Sequence, residues 1–115
     1  MSIQIFDTLA GAKRDLDPFE AGKVRFYFCG PTVYDLAHLG HARCNVAWDV
    51  VVRHLRSRGY AVTYVRNFTD VDDKIINRAK EEGISAAEVA RKYIEAYQED
   101  MKRLGVGRPD EEPLA

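Results

Sequence analysis

Two cysteines, Cys29 and Cys44, are all that 115 residues contain. That is too few for a secreted disulfide scaffold and points to reduced thiols in a cytoplasmic protein. Long apolar runs are missing too. No stretch approaches the roughly 20 residues that span a bilayer. The first six residues have no basic start leading into an apolar stretch, so neither a membrane span nor a signal peptide is expected. Charge of one sign is not in excess. The 17 basic and 18 acidic side chains leave a net charge of −1, which argues against a polybasic nucleic-acid binder while leaving room for a local basic patch. Low-complexity tracts and internal repeats are absent, which excludes solenoid architectures. What is present is an ordinary globular composition, 46% hydrophobic and 30% charged, in a length that allows one domain over 1–115.

Local patterns divide the chain. Ile3 to Thr8 reads as a short strand. Gly11 to Gly22 is polar, contains Pro18, and reads as a loop. Val24 to Cys29 is β-branched and aromatic and stops at Gly30-Pro31, as a buried strand with a sharp end does. Pro31 to Gly40 is loop-like. From about His41 to Ser57, Ala47, Val50, Val51 and Leu55 recur at helical spacing, and Gly59 supplies the stop. Ala61 to Phe68 reads as a second strand. Asp70 to Glu82 carries Val71, Ile75, Ile76 and Ala79 on one helical face, closed by Gly83. Ser85 with Glu88 makes a capping box opening a longer helix, with the stripe Ala86, Val89, Tyr93, Tyr97, Met101 and Leu104, ended by Gly105. The remaining tail, 107–115, reads as a surface segment. Strand, helix, strand in this order is a right-handed βαβ unit with parallel strands, followed by further helix. Parallel sheets receive ligands at the carboxyl ends of their strands. The two ends here are Cys29-Gly30-Pro31-Thr32 and Asn67-Phe68-Thr69-Asp70, so two polar clusters are expected side by side.

The sharpest motif is His38-Leu39-Gly40-His41 at the start of the first helix. Free backbone N–H groups at a helix start attract anions, and a glycine permits close approach. Two imidazoles there are suited to donate hydrogen bonds to phosphate oxygens that gain charge. The competing reading is a pair of surface or helix-capping histidines.

Around this motif stand Phe28-Cys29-Gly30-Pro31-Thr32-Val33-Tyr34-Asp35 and Val65-Arg66-Asn67-Phe68-Thr69-Asp70-Val71-Asp72-Asp73-Lys74-Ile75-Ile76. With the opening Ile5-Phe6-Asp7-Thr8-Leu9 and the closing Arg108-Pro109-Asp110-Glu111-Glu112-Pro113, the set closely resembles the N-terminal part of the cysteinyl-tRNA synthetases, a family of class I aminoacyl-tRNA synthetases. The resemblance implies an α/β, Rossmann-like half-domain with a parallel βαβ core and C-terminal helices. It implies ATP with magnesium as cofactor, zinc at an incomplete site, and cysteine and tRNA-Cys as partners of the complete enzyme. His38 and His41 would stabilise charge at phosphorus. Pro31, Thr32, His38, Gly40 and His41 would contact the nucleotide, Gly30 and Thr69 the amino acid, and Cys29 the zinc. A metal that prefers a thiolate to an un-ionised hydroxyl separates cysteine from serine where pocket size cannot.

Family members are several times longer, and the downstream lysine loop and anticodon-binding region have no counterpart here. The expectation is therefore a fragment that does not charge tRNA alone, holds little zinc, and has an exposed sheet edge that favours self-association. Two alternatives share the motifs: a ligase passing cysteinyl-adenylate to an amino sugar, and a stand-alone nucleotide-binding module. Small nucleotidylyltransferases also use a His-x-Gly-His phosphate site, but Cys29 to Asp35 counts against them. Blander readings stand beside these roles. Cys29 reads from its position as a packed thiol, and Cys44 as a small or partly buried core residue. Thr69 reads as an N-cap for the next helix. Asp70, Asp72 and Asp73 read as helix-dipole partners rather than a metal cluster. Trp48, Tyr93 and Tyr97 read as core.

Overall fold

In the computed structural model, which describes residues 2–115, the chain runs β1 (Gln4–Asp7), β2 (Ala12–Asp15), β3 (Lys23–Phe28), α1 (Leu39–Ser57), β4 (Ala61–Arg66), α2 (Asp73–Glu82) and α3 (Ala86–Arg103). β3 and β4 pair in parallel, in register from Lys23 opposite Ala61 to Phe28 opposite Arg66. α1 makes the crossover between them, as the βαβ pattern predicts. This is a Rossmann-like α/β arrangement, and it sets both strand ends at the same edge of the sheet.

The strands differ from expectation in their surroundings. β3 is not buried: its residues alternate half-buried and exposed, and Tyr27 is 63% exposed. Its one strand neighbour among the described residues is β4. β4 is the inner strand, with Tyr64 and Arg66 buried. Its second neighbour is the tail, which is an ordered part of the sheet rather than a surface segment. Arg66 N–H donates to Glu111 O at 3.1 Å, Phe68 N–H to Pro113 O at 2.9 Å, and Ala115 N–H to Phe68 O at 3.0 Å. Val65 bridges Glu111 and Phe68 bridges Leu114, both in parallel.

The segment expected to be a loop, Gly11 to Gly22, contains β2, which pairs antiparallel with β1. Asp7 Oδ1 accepts from the N–H groups of Leu9 and Ala10 and folds the turn between them. Every residue of β2 is exposed, so no alternation of polar and apolar residues announces it.

α1 begins at Leu39, earlier than His41, because His38 caps it. Its buried face carries Asn45, Val52 and Leu55. Of the expected stripe only Leu55 is buried; Ala47, Val50 and Val51 are exposed. Trp48 is not core either. It is 36% exposed and leans on Phe26 and Phe28, with ring centroids 5.5 and 5.9 Å away. α2 starts at Asp73, not Asp70, with Asp72 as its N-cap accepting from Lys74 N–H at 2.8 Å. Thr69 therefore does not cap it, and Val71, outside the helix, is 76% exposed. Asp72 and Asp73 are the dipole partners expected; Asp70 is not in the first turn, and its Oδ1 is buried without a hydrogen-bond partner among the described residues.

α3 opens with the predicted capping box of Ser85 and Glu88. Its stripe is buried at Val89, Tyr93, Tyr97 and Met101, while Leu104 is the exposed C-cap. These residues join Val33, Phe68, Ile75 and Ala79 in one core cluster. Val33 and Phe68, which follow β3 and β4, belong to that core, so the candidate site is anchored on it.

Candidate active site

Where β3 and β4 end, the two chains stay together. Gly30 N–H donates to Asn67 Oδ1 at 2.8 Å, Thr69 N–H to Pro31 O at 3.1 Å, and Val33 N–H to Thr69 O at 3.2 Å. Thr32 bridges Thr69 in parallel. Gly30 and Thr69, predicted from separate motifs, thereby lie on adjoining segments, Gly30 held to Asn67 and Thr69 paired with Pro31 to Val33. A Cβ on Gly30 would lie 1.7 Å from the Asn67 carbonyl oxygen, so backbone packing alone demands glycine here.

The loop beyond this junction is fixed by α2. Arg78 Nε donates to Tyr34 O at 3.1 Å and its Nη2 to Asp35 Oδ2 at 2.8 Å. Val33, 2% exposed, plugs the loop into the core. The loop delivers His38 to the start of α1 with an extended backbone, φ −115° and ψ 173°.

The two histidines form a reciprocal cap. His38 Nδ1 accepts from Gly40 N–H at 3.1 Å, and His41 Nδ1 accepts from His38 N–H at 3.2 Å. A neutral imidazole that accepts at Nδ1 carries its proton on Nε2. Both rings therefore present an Nε2–H donor. They are stacked, with centroids 3.9 Å apart and planes 23° apart. Burial holds the His41 pKa below its ordinary value, and the adjacent His38 charge lowers it further. No acid occupies the first turn of α1, while His54 and Arg56 sit in its last. The start of the helix keeps its partial positive charge. The capping reading and the phosphate reading are thus compatible: the Nδ1 atoms serve the helix and the Nε2–H groups are left to serve a ligand. Gly40 has a local reason as well, since a Cβ there would meet His38 Cε1 at 2.9 Å. A groove of about 440 Å³ opens beside this turn, walled by Ala37, His38, Leu39, Met101 and Arg103 among others.

Cys29 is exposed, not packed, and its Sγ lies 3.8 Å from Gly30 O. Cys44 is half-buried, as expected. Among the described residues no group of three or more His, Cys, Asp or Glu side chains could hold a metal. One thiolate does not make a zinc site, so the residues present do not fit that ion.

Four participants escaped the motif reading. Asn67 was inside a quoted motif, but nothing in a sequence says its side chain holds Gly30. Arg78 looks like an ordinary solvent-face arginine on α2. Asn45 breaks the apolar pattern of α1, which was the available signal, and Arg66 is a buried charge at the end of an inner strand.

The sequence profile of the tRNA synthetases class I (C) catalytic domain matches residues 15–115. The chain is similar to the cysteine–tRNA ligase of Anaeromyxobacter sp. (strain K), 63% identical over 113 residues that cover 98% of this chain and 24% of that protein. It is similar to the cysteine–tRNA ligase of Syntrophobacter fumaroxidans, 56% identical over 115 residues that cover 100% of this chain and 23% of that one. The chain thus spans about a quarter of the length of the curated relatives it matches. Among solved structures it resembles LeuRS of Agrobacterium radiobacter K84, in ternary complex with tRNA and LeuAMS. There the TM-score is 0.71 and the identity 27%, over 84% of this chain and 13% of that one. The methionyl-tRNA synthetase of Mycobacterium tuberculosis, in complex with methionyl-adenylate, shares the fold with a TM-score of 0.65 at 22% identity, over 72% of this chain and 17% of that one.

Proposed function

Because this chain belongs to the class I (C) tRNA synthetase catalytic-domain family, we propose that it forms the nucleotide-binding part of a cysteine–tRNA ligase. The observation that carries this reading is the pair of Nε2–H donors at an acid-free helix start. The names of the relatives favour tRNA over an amino sugar as acceptor.

In this reading the carboxylate oxygen of cysteine attacks the α-phosphorus of ATP. The bond to the β,γ-pyrophosphate breaks, and cysteinyl-adenylate forms. A carboxylate at neutral pH needs no general base. His38 and His41 donate Nε2–H hydrogen bonds to phosphate oxygens as charge accumulates and transfer no proton. The lowered pKa of His41 suits that role, because it keeps the ring a neutral donor. Magnesium arrives with the nucleotide. Pro31, Thr32 and Gly40 are assigned to the nucleotide, Gly30 and Thr69 to the amino acid, and Cys29 to the side that receives its thiol. A ribose hydroxyl of tRNA-Cys then takes the cysteinyl group and AMP leaves.

Calorimetry with ATP, cysteine and a non-hydrolysable cysteinyl-adenylate analogue tests the reading. The analogue is expected to bind more tightly than either part, and His38→Ala to weaken it. Equal affinity for the seryl analogue bears on Cys29 alone; no binding of either analogue contradicts the proposal.

A further inference from the structure

A buried polar chain runs from the tail of the molecule to the first turn of α1. Glu112 accepts from Arg66 Nη2 at 2.6 Å, and their side chains are 6% and 2% exposed. Arg66 Nη1 donates to Asn45 Oδ1. A guanidinium has only donors, so Asn45 must turn its carbonyl oxygen toward Arg66 and its NH₂ away. That NH₂ donates to the Tyr97 hydroxyl at 2.6 Å and to His41 O at 2.8 Å. The Tyr97 ring in turn stands edge-on to the His41 ring, centroids 6.0 Å apart.

We propose that Asn45, oriented by Arg66, is a positioning residue for His41. It grips the His41 backbone directly and the His41 ring through Tyr97. The ring is thereby held between Tyr97 on one side and the stacked His38 on the other, and its Nε2–H keeps one aim. Stability alone is a poor reason for this arrangement. A buried asparagine and arginine cost desolvation that a well-packed apolar pair would avoid, and Arg66 Nε has no hydrogen-bond partner among the described residues. The task given to His41 rests on the nucleotide reading above; the geometry that holds it does not.

The test uses the 115-residue chain with ¹⁵N-labelled histidine. Asn45→Asp keeps an oxygen acceptor for Arg66, now charged, but withdraws both NH₂ donors. Tyr97→Phe keeps the ring edge and removes the hydroxyl that Asn45 holds. Imidazole ¹⁵N shifts, read at a pH where the rings are neutral, report the His41 tautomer, which a purely structural role would leave unchanged. The wild-type chain is expected to hold His41 as the Nε2–H form. A folded Asn45→Asp chain is expected to show a mixture of tautomers and about tenfold weaker ATP binding, the scale of one hydrogen bond to a charged group. A folded Asn45→Asp chain with the wild-type tautomer overturns the proposal. If Asn45→Asp does not fold, Tyr97→Phe decides by the same spectrum: a mixture supports it and the wild-type pattern overturns it. Absence of ATP binding in the wild type would count against the nucleotide reading, while the tautomer measurement still decides the role of Asn45.

Discussion

Gly30 and Gly40 show how one residue type serves the site through two different contacts. At Gly30 the obstacle to a side chain is backbone, the Asn67 carbonyl at 1.7 Å, and backbone cannot swing aside as the end of a side chain can. Gly30→Ala should therefore destabilise the chain by about 3 kcal/mol, the upper range for an overpacked site, read as a lower denaturation midpoint. At Gly40 the obstacle is the ring of His38 itself, so alanine there should disturb the histidine pair more than the fold. The His41 pKa makes a further residue-scale prediction. Burial, with the charge of His38 added, holds it below the ordinary value of about 6.5. Between the lowered value and the ordinary one, the unfolded chain binds a proton that the folded chain does not. As far as His41 is concerned, stability is constant above that window and falls as pH drops through it. A proton NMR titration should give His41 a midpoint below that of a free histidine; a midpoint at or above it contradicts this environment.

Among the elements, those with a strong local signal were legible in the sequence. The capping box of Ser85 and Glu88 placed the start of α3 at the residue, because the cap and its partner are both local. Ser85→Ala should cost about 1 kcal/mol. The parallel pairing of β3 and β4 followed from the order of elements and the right-handed crossover. The elements that were not legible owe their form to distant partners. β2 exists through pairing with β1 and has no buried face of its own. The N-cap of α2 is Asp72 rather than Thr69 because Thr69 is engaged by Pro31 and Val33. The buried face of α1 was hidden because Asn45 occupies it, and only Arg66 and Tyr97 explain a polar residue there. The tail illustrates the same point on a longer lever. Its pairing with β4 is secured by Glu112, which meets Arg66 from 46 residues away. Glu112→Ala strands a buried guanidinium and should cost about 3–5 kcal/mol. Thermal unfolding would show it, and a loss under about 1 kcal/mol, the range of surface pairs, would mean the tail is not held as described.

At the scale of the whole molecule, the sequence indicated where the site would lie. Strand order put Cys29 to Thr32 beside Asn67 to Asp70, and the structure joins Gly30 to Asn67 and Thr32 to Thr69 there. The histidine pair was legible as a motif, but its division of labour was not: hydrogen bonding assigns each Nδ1 to the helix cap and leaves each Nε2–H as the remaining donor. On the sheet face that α1 packs against, a hollow of about 850 Å³ opens between β1, β3 and α1, lined by Phe6, Phe26, Trp48 and Val51 among others. A ligand drawn by apolar surface would settle in that hollow, whereas a polyphosphate would settle at the start of α1. Backbone amide NMR of the 115-residue chain titrated with ATP distinguishes the two directly. The account predicts saturable shifts concentrated at 30–32, 38–42 and 67–69, and their loss in a His38→Ala, His41→Ala double variant that remains folded. Shifts centred on Phe26, Trp48 and Val51, or none at any ATP concentration, would contradict it.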